Sequence, residues 1–141
     1  MKRFIILIHI LILSFGIAHA QYNADDIIGY YHLIDPFTDE ESQIYIYKTS
    51  SDKYEAIITW VGNPAKKEFL GLIFLKNMEW NAKKQEWQNA TIKYPGKKGD
   101  FSAYMHFQDA NTLKVRGYWG VAMLGKTVYW KKEKTKRVQE V

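Results

Sequence analysis

The stretch LKVRGYWGVAMLGKTVYWKK, residues 113–132, decides the fold. Leu113, Val115, Gly117 and Trp119 alternate with Lys114, Arg116 and Tyr118, the period-two pattern of a strand with one covered face. Glycines at 117, 120 and 125 interrupt the run. Val128 and Trp130 then resume the alternation on a second strand. Immediately upstream, Phe101, Ala103, Met105 and Phe107 fall on one side of another run of the same kind. These three segments read as consecutive antiparallel strands with a common apolar face.

The same reading extends to the rest of the chain. Strands are predicted over 28–35, 42–48, 54–61, 69–80, 87–94, 101–107, 113–119 and 126–132, separated by polar or Gly/Pro-rich turns. Asn23 caps a single predicted helical turn through Ala24, Asp25 and Asp26. Trp80 and Trp87 flank a polar loop and are placed to pair across a hairpin. The run Pro95-Gly96-Lys97-Lys98-Gly99 is a turn. Eight sequential strands leave two open edges unless the sheet closes on itself. The expected fold is therefore all-β: a single eight-stranded antiparallel up-and-down barrel with a short N-terminal helical turn. Large inward residues such as Phe101, Met105, Phe107 and Trp119 favour a small or filled lumen, because eight strands enclose little more than their own side chains.

The 141-residue chain begins with a segment of a different kind. Lys2 and Arg3 precede an apolar run, and Ala18-His19-Ala20 forms a small-residue cleavage pattern. Residues 1–20 are read as a secretory signal peptide, too short for a spanning anchor. The expected organisation is a cleaved segment 1–20, a barrel domain 21–132 and a charged, flexible tail 133–141. The product is expected to be soluble and exported, periplasmic or extracellular, with no membrane span after cleavage. The formal net charge of +5 falls by two when Lys2 and Arg3 leave. Such a mild charge excludes the concentrated basic stripe that nucleic acid requires. The chain has no cysteine. This excludes disulfides, a lipoprotein anchor, a thiolate metal site and a thiol nucleophile.

Few residues announce chemistry. His32 and His106 lack neighbouring ligands at metal spacing, so no metal site and no cofactor are expected. Asp39-Glu40-Glu41 is a solvated carboxylate turn. No serine stands in a nucleophile context. No catalytic residue is nominated, and the protein is not expected to be an enzyme. Arg116 offers a fork for an oxyanion. By alternation it faces away from the core, along Tyr118 or towards a neighbouring strand; a bulge at Gly117 would turn it inward.

The closing segment, Leu113 to Gly120 followed by Leu124-Gly125-Lys126-Thr127 and Trp130, resembles the signature of the bacterial domain-of-unknown-function family 2147. Phe69 to Leu75, the Trp-rich hairpin and the turn around Pro95 and Gly99 are similar to the family's middle part. The family's Gly-Gly approach to that turn is replaced here by Asn89 and Ala90. The resemblance implies a small exported protein with a lipocalin-like fold. Gly29-Tyr30-Tyr31 is similar to the Gly-x-Trp of the first lipocalin strand, with Tyr31 in the ring position. The resemblance implies barrel closure through Gly29, Tyr31 and a covering Lys131 or Lys132. It also implies, as the leading functional expectation, a small amphipathic ligand in the barrel mouth. Strand facing nominates Tyr30, His32, Trp60, Met105 and Trp119 as its contacts, with Arg116 as an added charge. The alternative is an envelope protein partner bound by the outer surface, around Tyr45, Tyr47 and Tyr118, with a filled lumen and no ligand.

Overall fold

The computed structural model describes residues 21–118 and 125–140. Residues 1–20, read above as a signal peptide, residues 119–124, with Trp119, and residue 141 lie outside them. Eight antiparallel strands follow one another around a closed barrel: β1 (Gly29–Ile34), β2 (Glu41–Lys48), β3 (Tyr54–Val61), β4 (Ile73–Asn81), β5 (Glu86–Ile92), β6 (Phe101–Asp109), β7 (Thr112–Tyr118) and β8 (Lys126–Glu133). Closure is made by β1 against β8, with Tyr30 opposite Glu133, Tyr31 opposite Lys132 and His32 opposite Lys131. The expected topology is thus the observed one.

Alternation supplies the interior. Ala103, Met105 and Phe107 of β6 are buried, as are Leu113 and Val115 of β7 and Trp130 of β8. Across β4 and β5, Trp80 pairs with Trp87 as their spacing predicts, with ring centroids 4.3 Å apart. The middle of the barrel is filled: Ile44, Ile46, Met78, Met105 and Leu113 are each 0 % exposed.

Simple alternation is broken at several places among the described residues. The fourth strand does not start at Phe69. Residues Pro64–Phe69 form a 3-10 helix, with Pro64 near its start and the Asn63 side chain accepting from Ala65 N–H at 3.0 Å. Proline and an Asx cap favour a helical entry over the extended chain that the apolar run alone suggests. In β5 the register shifts between Trp87 and Ala90, where Asn89 takes a left-handed φ of 61°. In the β2–β3 pair Gln43 faces Trp60 while Ile44 faces Ile58, so two residues of β3 oppose one step of β2. This bulge reverses the facing beyond Ile58, and Val61 takes the inward place that Trp60 would have held.

One end of the barrel is sealed by the N-terminal 3-10 turn, Ala24–Ile27, at the position expected of a helical turn. Ile27 is fully buried there. Trp87 Nε1 donates to the Ala24 carbonyl at 3.0 Å, and the Tyr31 hydroxyl donates to the Ile27 carbonyl at 2.8 Å. The Tyr54 hydroxyl donates to Asp25 at 2.6 Å. That bond holds the Asp25 carboxyl below its usual range, while burial and the same carboxylate push the Tyr54 hydroxyl up. Tyr22 stacks on Phe107 at 4.8 Å, so the chain is pinned from its first described residues.

The tail differs from the frayed end that its charge suggests. Residues 134–140 cross the outer face of β2 and β3. Gln43, fully buried on that face, donates to Glu133 and to the Thr135 carbonyl, and accepts from Arg137 N–H and from the Thr59 hydroxyl. The Gln139 amide exchanges two hydrogen bonds with the Val61 backbone, at 2.9 and 3.1 Å. It occupies the position that β4 vacates by starting only at Ile73. Arg137 clamps Glu133 with both Nε and Nη2 and lies 4.6 Å over the Trp60 ring.

The Arg137 guanidinium holds the Glu133 carboxyl below the ordinary glutamate range. A depressed carboxylate contributes stability above its unfolded pKa, about 4.3. That contribution is lost as pH falls through the folded value. Glu133→Gln is therefore expected to lower stability by roughly 0.5–1 kcal/mol at pH 7 and to have no effect near pH 2. Urea denaturation of both proteins at the two pH values checks this. An equal deficit at both would show that the charge of Glu133 contributes nothing.

Candidate functional site

The turns after β2, β4 and β6 share the sealed end with the 3-10 turn. The connections after β1, β3 and β5 share the other, and the cavities of interest lie there. A cavity of about 190 Å³ is lined by Pro36, Phe37, Ile92, Tyr94, Phe101, Val115, Gly117, Lys126 and Val128. Its walls come from β5 to β8, whose inward alternation delivers Ile92, Phe101, Val115 and Val128 to one place. A second, smaller space of about 60 Å³ lies on the β1–β4 side, against Leu33, Ile58, Phe74 and Trp130. Tyr94 borders both, edge-on to Phe74 at 5.3 Å and to Phe101 at 5.3 Å.

Phe37, from the β1–β2 connection, sits over the larger cavity. It is 41 % exposed, edge-on to Tyr94 at 5.5 Å and tilted against Phe101 at 5.6 Å. Lys97 Nζ lies 4.4 Å from its ring centroid and Lys126 Nζ 5.2 Å. The connection that carries Phe37 is braced from two sides. Asp35 accepts from the backbone N–H of Phe37 at 2.7 Å, and Glu40 binds both Asn63 and Lys66. These two partners hold the Glu40 carboxyl below its ordinary range. Burial, with Asp35 nearby, pushes the Tyr94 hydroxyl up, so it stays neutral.

The residues nominated from strand facing do not converge here. Tyr31 and Leu33 point inward on β1, so Tyr30 and His32 point outward. Tyr30 packs on Tyr45 at 4.7 Å, and His32 Nε2 lies 3.1 Å from Glu41 Oε1. Trp60 is turned outward by the β2–β3 bulge and lies under Arg137. Met105 is inside but fully buried in the filled middle. Arg116 stays outside, since the β7–β8 register runs through Gly117 without a bulge. It donates to the Thr127 hydroxyl at 3.0 Å and lies 5.6 Å over the Tyr118 ring. Trp119 is beyond the described residues. The outer tyrosines form two separate groups: Tyr45 stacks with Tyr47 at 6.3 Å beside Tyr30, and Tyr118 with Tyr104 at 5.8 Å.

Two residues that frame the cavity, Phe37 and Tyr94, carry a weak sequence signal. Phe37 is a lone ring in the polar run Asp35 to Glu41, and Tyr94 is the last aromatic before a Pro-Gly turn. Among the described residues, no group of three or more His, Asp or Glu side chains is arranged to hold a metal ion. None of their helices is long and apolar enough to cross a membrane.

The residues of barrel closure meet at the sealed end. Lys132 reaches inward, its Nζ donating to the Asp26 carbonyl at 2.8 Å and lying 6.0 Å from the Tyr31 ring and 5.7 Å from the Phe107 ring. Lys131 points outward to the Thr112 hydroxyl, so Lys132 is the covering cation. Gly29 leaves room for this arm: a Cβ there would stand 3.1 Å from Lys132 Cε.

A closed eight-stranded meander, an N-terminal turn under one end and a first-strand ring covered by a last-strand cation define a lipocalin-like barrel. The solved protein HP1028 from the human pathogen Helicobacter pylori, described as belonging to the lipocalin family, has the same fold. The two superpose with a TM-score of 0.61 at 14 % identity, over 76 % of this chain and 82 % of that one. Residues 29–132 match the family described as an uncharacterized protein conserved in bacteria (DUF2147), and the chain belongs to that family. No curated protein matches the sequence.

Proposed function

We propose that the protein is an exported, non-enzymatic binding protein that holds one small amphipathic molecule at the open end of its barrel. The cavity beneath Phe37 carries this reading: about 190 Å³ with an almost wholly apolar lining. An apolar cavity of roughly 150 Å³ admits benzene, so this one suits an apolar group of about six to eight non-hydrogen atoms. The filled middle limits the ligand to the mouth, and a longer molecule extends past Phe37 into solvent. Export rests on the charged, apolar and small-residue pattern of residues 1–20. Native mass spectrometry of protein isolated from its source tests the reading. A reproducible adduct of small-molecule mass, lost on organic extraction, is expected. A bare protein mass, together with a single recurring cross-linked partner in the envelope, would replace it with recognition by the outer surface.

A further inference from the structure

Two ammonium groups stand around Phe37. Lys126 lines the cavity itself, and Lys97 approaches the same ring from the β5–β6 connection. Among the described residues neither ammonium makes an ion pair. Lys126 has only a 3.4 Å hydrogen bond to the Pro36 carbonyl and its place over the ring. Two carboxylates of the same rim are engaged elsewhere. Asp35 accepts from two backbone N–H groups of its own turn, Phe37 and Thr38, and Glu40 is held by Asn63 and Lys66. Among the described residues, the entrance to the larger cavity thus presents two ammoniums outside any ion pair at the edge of an apolar space, with the Asp35 carboxylate tied to the backbone of its own turn.

We infer that the molecule bound here is a short amphiphile with a single oxyanion head, its apolar end among Ile92, Phe101, Val115 and Val128 and its head between Lys97 and Lys126. This rests on the binding reading above and narrows it to one chemical class. A neutral head would leave both ammoniums as they are. An oxyanion gains charge-assisted hydrogen bonds from them at a site where an apolar wall excludes water from one side. A cationic head would meet two like charges. Phe37 stands beside this space, and its ring is held by aromatic and cation contacts that its exposure keeps weak.

Calorimetric titration with octanoate, 1-octanol and octylammonium tests this, because the three share a tail and differ in the head. Octanoate is expected to bind one-to-one, roughly ten- to hundred-fold tighter than octanol, with octylammonium weakest. The double variant Lys97→Gln, Lys126→Gln should lose the octanoate advantage, binding octanoate no tighter than it binds octanol, with an unchanged circular dichroism spectrum. Equal affinity for octanoate and octanol, or an octanoate preference that survives the double substitution, would overturn the oxyanion assignment. Either result would leave the binding reading in place. Failure of all three probes, with a bare mass for protein taken from its source, would overturn both.

Discussion

Trp87→Ala is expected to destabilise the protein by roughly 3–5 kcal/mol, the range for removing a large buried aromatic. Trp87 is 0 % exposed and sits where three things meet. It packs tilted against Trp80 across the β4–β5 hairpin, meets Phe107 edge-on at 5.4 Å, and bonds the Ala24 carbonyl at the start of the N-terminal turn. Alanine removes the ring that plugs the sealed end and leaves that carbonyl without its donor. For a domain whose whole stability is of order 5–15 kcal/mol, such a loss brings it close to unfolding at room temperature. Trp87→Phe keeps most of the buried area and drops the hydrogen bond, so roughly 1–2 kcal/mol is expected. Urea denaturation followed by far-ultraviolet circular dichroism reads both. A cost below about 1 kcal/mol for the alanine variant would mean that the N-terminal turn does not depend on this ring.

Gln43→Leu has the second largest expected effect, about 2–3 kcal/mol. Leucine matches glutamine in bulk but offers no polar atom. Glu133, the Thr135 carbonyl, the Thr59 hydroxyl and the Arg137 N–H would each lose a partner at a position shielded from water. The tail can relieve that cost only by lifting off, which uncovers the Val61 backbone and the Trp60 ring. Trypsin therefore reports the same event independently. Cleavage after Lys134, Lys136 and Arg137 should accelerate in the variant while the barrel stays resistant. Unchanged digestion, with unchanged stability, would show that the tail is held without Gln43.

These two residues mark what was legible in the sequence. Trp87 was visible as a hairpin partner of Trp80, because spacing and turn chemistry are local. The strands β6, β7 and β8 were visible for the same reason, and barrel closure followed from the cost of open edges. Gln43 was not visible as a pin. Its role depends on a tail ninety residues away folding back, and nothing local to a lone glutamine announces it. Trp60 was misplaced because a bulge adds one residue without a compositional mark. Tyr30 and His32 were misplaced because Tyr31, not its neighbours, takes the inward ring position against Lys132. The cavity was missed where it depends on Phe37, since a phenylalanine in a polar turn reads as a surface residue until the mouth beneath it is seen.

The pairing of Tyr31 with Lys132 has a bearing on how the chain acquires its shape. Contacts between neighbouring strands span short loops, but this one joins residues about a hundred positions apart, and such distant pairings form late. Until the final strand has emerged from whatever makes or moves the chain, β1 keeps a bare backbone edge and the sheet cannot shut. Closure of the sheet thus waits on β8, and a chain interrupted before Lys131 is expected to remain an open ribbon with a bare edge rather than a smaller barrel.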